Sequence, residues 1–179
     1  PAVFNREKLN WYNKQYLMSL PLEEVAKRAL PFFCHAGIIR TEEIDDTQEY
    51  EQFKAAIDLE RSRVNTLAEL AQALGFIYSD SLSYDPSLLI WKKDTQQGSK
   101  AILGQLATCL ESIALWNKES LETTLKEWIA TNNFGVGNVL WPMRVALSGQ
   151  KDSPGPFDIA AVLGKEKTVA RVKAAEALL

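Results

Sequence analysis

The sequence predicts an all-α protein, and two observations carry that prediction. Apolar residues recur at helical spacing along nearly all of its 179 residues, and no stretch alternates apolar with polar as a half-buried strand would. A third observation says that the helices pack: 46% of the residues are apolar, and a chain of this size can bury roughly two thirds of its unfolded surface.

The first helix is expected from Asn5, its N-cap, to Met18, with Leu9, Tyr12 and Tyr16 on its apolar face. The second starts near Pro21 and carries a stripe of Leu22, Val25, Ala26, Ala29, Leu30 and Phe33, with Gly37 as its stop. Pro31, inside that pattern, is predicted to kink the helix or split off its last turn. Residues 41–60 hold eight Asp or Glu against one Lys, a composition usual for a solvated face, on a helix whose Tyr50, Phe53 and Ile57 point inward. Arg61 and Arg63 fall in the connection that follows. Thr66 and Glu69 have capping-box spacing ahead of Leu67, Leu70, Ala71 and Leu74, and Gly75 is read as closing that helix.

Ser, Asp and Pro gather in residues 79–86, the best candidate for a domain boundary. Asp85 and Pro86 then read as N-cap and first residue of a short helix through Trp91. A long helix with Ile102, Leu106, Leu110 and Ile113 in register follows, and another with Leu121, Leu125, Trp128 and Ile129. After the loop of residues 132–137, a helix from Asn138 to Gly149 must accommodate Pro142. Pro156 to Leu163 and residues 165–178 make the last two helices.

Twenty Lys plus Arg against 23 Asp plus Glu give a net charge of −3, which excludes a basic nucleic-acid coat. Residues 1–60 carry −4 and residues 61–179 carry +1, with Lys165, Lys167, Arg171 and Lys173 concentrating positive charge at the C-terminus. No apolar run approaches the ~18 to 20 residues of a membrane helix, and the first ten residues lack an apolar signal core, so a cytoplasmic protein with no membrane partner is expected. A start at Pro1 rather than Met reads as a piece of something longer. Cys34 and Cys109 lie far apart and define no disulfide framework.

Catalytic constellations are not evident. His35 is the single histidine, so no triad can be built, and Cys34 with His35 offers two ligands where zinc needs four. Gly135-Val136-Gly137 lacks the preceding strand and following Gly-Lys-Ser/Thr of a phosphate loop and reads as a flexible turn. The acidic stretch looks wet, whereas acid–base work needs a carboxyl raised by burial. No catalytic residue and no metal site is assigned. What stands out instead is cation–aromatic: Lys8 and Trp11 at i and i+3, Arg61 and Arg63 beside a helix start, and Arg144 near a Pro/Gly-rich turn. Such groups hold single-stranded nucleic acid by stacking and fixed donors. The same residues also read as a core Trp11, a solvated Lys8 and arginines paired with the acidic helix. Spacing leaves both readings open.

Three segments add a resemblance. FNREKLNWYNKQYLMSLPLEEVA is similar to the helix leading out of the catalytic half of bacterial glutamyl-tRNA synthetases, with Lys8, Leu9, Trp11, Asn13 and Tyr16 at the marked positions. Arg144, Ala146, Leu147 and Gly149 match an R-x-A-L-[TS]-G element of that family's C-terminal signature, and Leu163, Gly164, Lys165 and Glu166 match its L-G-K-E. An R-x-R-x-x-T-L-x-E-L segment beginning at Arg61 lies between them. The resemblance implies the anticodon-binding region of that class I synthetase, an α-helical cage of two subdomains: residues 1–20 leading out of the catalytic part, then 21–80 and 81–179. It implies a monomer that binds glutamate tRNA and not DNA. It implies no cofactor and no enzymatic activity in this chain alone, the parent enzyme using ATP and Mg²⁺ to charge tRNA with glutamate.

Carried over by position, the resemblance puts Lys8 and Trp11 near the third anticodon base and the nucleotide after it, and Arg63 against that third base. Arg144, with the turn of Ser153, Pro154, Gly155 and Phe157, would hold the first two bases, while Trp141 and Pro156 depart from the pattern. The chemistry of Arg63 can be argued separately. Cytosine, third in glutamate anticodons, offers two adjacent acceptors to a guanidinium; guanine, third in glutamine anticodons, presents donors there. The alternative reading is a helical protein-interaction scaffold whose acidic face docks a basic partner without tRNA.

Overall fold

The computed structural model describes residues 5–40, 44 and 46–179. Among them are nine α-helices, one short 3₁₀ helix and no strand. The chain divides into two compact units, Pro1–Asp80 and Ser81–Leu179. Thr41, Glu42, Glu43 and Asp45, which include three of the eight acids of the acidic stretch, lie outside the described residues.

In unit 1, α1 (Arg6–Ser19) is capped by Asn5, whose side chain accepts the Lys8 N–H at 3.0 Å. Its expected apolar face is not inward. Leu9, Tyr12 and Tyr16 are all exposed, Tyr16 at 68%, and Leu17 is the helix's one buried residue. The spacing identifies α1 as a helix, but its apolar stripe is not a core stripe, because the helix meets the rest of unit 1 through its C-terminal turn. There Asn13, Tyr16, Leu17 and Leu20 border a 380 Å³ cavity with Val25, Arg28, Phe32 and residues 65–68.

The core of unit 1 is a three-helix junction of α2 (Leu22–His35), α3 (Thr47–Glu60) and α4 (Leu67–Tyr78). Phe33 of α2 meets Phe53 of α3 edge-on at 5.0 Å and Tyr78 of α4 at 5.8 Å. Such aromatic pairs add about 0.5–1.5 kcal/mol each beyond their buried area. That junction explains two departures from expectation. Pro31 does not split α2, since Leu30 and Phe33 on either side of it are buried and hold the last turn in place. Gly75 does not end α4; the helix runs on to bury Phe76 and Ile77. Thr66 caps α4 as expected, its Oγ1 accepting the Glu69 N–H at 3.1 Å, but Glu69 Oε2 accepts the Asn65 N–H at 2.7 Å, one residue before the N-cap N–H that a capping box would use.

Unit 2 opens with the 3₁₀ helix Pro86–Leu89, shorter than expected, its N-cap Asp85 accepting the Ser87 N–H at 2.9 Å. Then come α5 (Gln96–Ser112), α6 (Lys118–Thr131), α7 (Val136–Ser148), α8 (Pro156–Leu163) and α9 (Lys165–Leu178). Helix α5 lies along α9, and α7 touches α5, α8, α9 and the 3₁₀ helix. Gly135-Val136-Gly137 is not a flexible turn: Gly135 is the N-cap of α7 and the other two residues begin it. The C-terminal cations are mostly structural. Arg171 is buried and donates from Nη1 to the Leu147 carbonyl at 2.6 Å, Lys165 donates to the Ile113 carbonyl at 2.7 Å, and Lys173 pairs with Glu111 at 2.6 Å. Burial pushes the Arg171 guanidinium below its ordinary range.

Two stability measurements follow from these packings. Thr66→Ala should lower the urea unfolding free energy by about 1 kcal/mol; an unchanged midpoint would mean that the α4 cap contributes nothing. The Tyr78 hydroxyl is buried with no hydrogen-bond partner among the described residues, and burial holds its pKa above the ordinary tyrosine range. Tyr78→Phe should therefore raise stability by about 1 kcal/mol, whereas a loss would reveal a partner for that hydroxyl.

Candidate functional site

The residues singled out by sequence fall on both units. In unit 1, Lys8 and Trp11 share the exposed N-terminal half of α1. Trp11 is 57% exposed and leans edge-on against Tyr12 at 5.0 Å, so it is not a core residue. Arg63 follows the end of α3 and precedes the residues that rim the α1–α4 cavity. Its Nε lies 3.1 Å from Glu60 Oε2, a carboxylate that is only 5% exposed, while 39% of the Arg63 side chain remains accessible. Arg61 is held in the same way by Asp58 at 2.9 Å. Both arginines are thus partners of the acidic helix, and Arg63 is a held guanidinium that still meets solvent.

In unit 2, α7 supplies Trp141 and Arg144, whose i, i+3 spacing puts them on one face. The Arg144 guanidinium lies over the Trp141 ring at 4.6 Å and donates from Nη2 to the Lys151 carbonyl at 2.8 Å. Trp141 is itself anchored, its Nε1 donating to the Leu88 carbonyl at 2.7 Å. The turn after α7 is sewn to the helix by hydroxyls. Ser148 Oγ donates to the Arg144 carbonyl at 2.8 Å, accepts the Gln150 N–H at 3.2 Å, and lies 3.2 Å from Ser153 Oγ. Gly149, at φ 72°, makes the left-handed reversal that this requires.

Within that turn, Ser153, Pro154 and Phe157 are buried and Gly155 is exposed. Ser153 and Phe157 shape the turn from inside; its exposed residues are Gln150, Lys151, Asp152 and Gly155, of which Lys151 meets Arg144 through its carbonyl. Sequence reasoning missed the role of Trp141 as the plate beneath Arg144, although the i, i+3 spacing was there to be seen. It also missed Trp91, which stacks on Trp141 with centroids 4.7 Å apart and planes inclined by 37°. That contact joins residues far apart in sequence and leaves no local signal.

Among the described residues no group of three or more His, Cys, Asp or Glu could hold a metal ion, and no helix is long and apolar enough to cross a membrane. What the two surfaces can do is hold planar, hydrogen-bonding groups: each offers an oriented guanidinium, and the one on α7 is backed by an indole.

Comparison with known proteins agrees with this chemistry. The family model described as anticodon binding domain matches residues 24–176; Arg63, Arg144 and the 153–157 turn lie inside that match, Lys8 and Trp11 outside it. A glutamate–tRNA ligase of Herpetosiphon aurantiacus is 35% identical over 178 residues, 99% of this chain and 36% of that protein. One from Porphyromonas gingivalis is 36% identical over 180 residues, 99% of this chain and 33% of that protein. The chain therefore spans about a third of the length of the relatives it matches. A solved glutamate tRNA ligase from Elizabethkingia meningosepticum, in complex with its amino acid, shares the fold at a TM-score of 0.81 with 22% identity, covering 97% of this chain and 32% of that one. Since the family model takes in most of both units, the chain belongs to the anticodon binding domain family.

Proposed function

We propose that this chain is the anticodon-recognition part of a glutamate–tRNA ligase, binding the anticodon loop of glutamate tRNA while ATP-dependent charging resides in the rest of the enzyme. The observation that carries the reading is Arg144, fixed over Trp141 and by the Lys151 carbonyl at the family's R-x-A-L-[TS]-G element. A guanidinium immobilised before binding loses little further entropy when a base meets it, and its plane can stack while its edge donates. Arg63, oriented by Glu60, would present donors to the acceptor edge of cytosine at the third anticodon position. Ser153 and Phe157 would act by shaping the turn, and Lys8 and Trp11 by contact from α1. The acidic-scaffold alternative is less well supported: on α3, Glu51, Asp58 and Glu60 are paired with Lys54, Arg61 and Arg63, which leaves less acidic surface for a basic partner.

A gel-shift titration of the 179-residue chain with glutamate tRNA at low salt should show saturable binding, weakened at least tenfold in Arg144→Ala; absence of saturable binding would overturn the reading. Specificity has its own measurement. One mispaired polar contact costs about 1–3 kcal/mol, so glutamate tRNA should bind roughly tenfold to hundredfold better than glutamine tRNA. Arg63→Lys, which keeps a cation beside Glu60 but loses the planar fork, should erase most of that preference. Equal affinities for the two transcripts before substitution would exclude Arg63 as the discriminator.

A further inference from the structure

The turn between the 3₁₀ helix and α5 presents two lysines that the reading above does not use. The Asp94 N–H donates to the Trp91 carbonyl at 2.9 Å, closing a tight turn around Lys92 and Lys93. Lys92 has φ 51°, a left-handed backbone that a lysine rarely takes and that persists only where its surroundings over-determine it. Here they do. Asp94 accepts from Asn138 Nδ2 of α7 at 2.8 Å, from the Thr95 N–H at 2.8 Å and from the Ser99 hydroxyl at 3.4 Å. The Trp91 indole lies so close to Gly137 of α7 that a Cβ there would collide with its ring nitrogen. Lys92 Nζ then rests over the Trp91 ring, 4.7 Å from its centroid.

The product is a preformed cationic edge on a surface cavity of 760 Å³ lined by Trp91, Lys92, Lys93, Asp94 and Asn138. Neither lysine has a carboxylate in salt-bridge range among the described residues. Asp94, the one carboxylate of the wall, has both oxygens in hydrogen bonds. The edge is also continuous with Arg144: Lys92 lies over Trp91, Trp91 stacks on Trp141, and Trp141 lies under Arg144, three links of which the longest is 4.7 Å.

We propose that Lys92 and Lys93 bind the phosphodiester backbone of the RNA strand whose base Arg144 engages, a few nucleotides along it; the proposal rests on the tRNA reading of the Arg144 site. The ligand is phosphate and not a base because a lysine ammonium is a point charge without a plane, and the indole face beside it is already covered. It is an RNA strand and not an acidic protein because the same ladder ends in a guanidinium–indole pair suited to a nucleobase.

The test is the salt dependence of glutamate tRNA binding by the full 179-residue chain, compared with Lys92→Asn/Lys93→Gln. Asn tolerates the left-handed backbone, so both charges are removed with the turn kept. The expected result is weaker binding and a slope of log K against log salt shallower by about 1.4, since each single-strand phosphate contact contributes about 0.7. If the double variant does not fold, Lys93→Gln alone should shift the slope by about half as much. Unchanged affinity and slope, with Arg144→Ala still weakening binding, would overturn this proposal and leave the anticodon reading standing. No binding by the wild-type chain would overturn both.

Discussion

Helix α7 must satisfy two opposed demands. Val139, Met143, Val145, Ala146 and Leu147 bury it among its neighbours, yet it has to deliver the one long charged side chain on which the site in unit 2 depends. The solution is positional. Arg144 stays half-buried between buried neighbours, and its stem lies along Trp141 before the head reaches Lys151. The end of the helix is fixed from three directions, by the Ser148 hydroxyl, by the left-handed Gly149 and by buried Arg171 on the Leu147 carbonyl. A cation at that carbonyl also suits the negative end of the helix dipole. The burial that stabilises unit 2 and the rigidity of Arg144 therefore have the same origin.

The two guanidiniums are held by different means, and the difference matters for what each can contribute. Arg63 faces a buried carboxylate, so much of its charge is compensated locally; it offers directed donors more than long-range attraction. Arg144 rests on an indole and a neutral carbonyl, which fix it without cancelling its charge. A chain of net charge −3 cannot draw an RNA by its overall field. On the proposed reading that task falls to local cations, and Lys92, Lys93 and Arg144 stand beside the Trp91–Trp141 pair. The C-terminal run of Lys and Arg, which composition alone suggests for that task, is largely tied into packing instead.

Much of the fold could be read from the sequence because helices announce themselves locally, through caps such as Asn5, Thr66 and Asp85 and through apolar spacing. Most departures concern tertiary context. Nothing within α1 reveals that Leu9, Tyr12 and Tyr16 are exposed, since a stripe records capacity for burial and not its realisation. Gly75 and Pro31 are local breakers overridden by the burial of Phe33, Phe76 and Ile77. In the site, Arg144 and Arg63 could be nominated from motif and chemistry. The stacking of Trp91 on Trp141 and the pairing of Arg63 with Glu60 needed coordinates: the first joins residues fifty apart, and the second depends on which acid of a crowded helix is buried.

The collision that any Cβ at Gly137 would make with Trp91 has a corollary. A side chain at 137 and the indole at 91 cannot both keep their present places, so a change at either position is felt at the other. Substitution at 137 would therefore have to be accommodated by a shift of the Trp91 ring, and with it of the Trp141 and Lys92 groups that touch it.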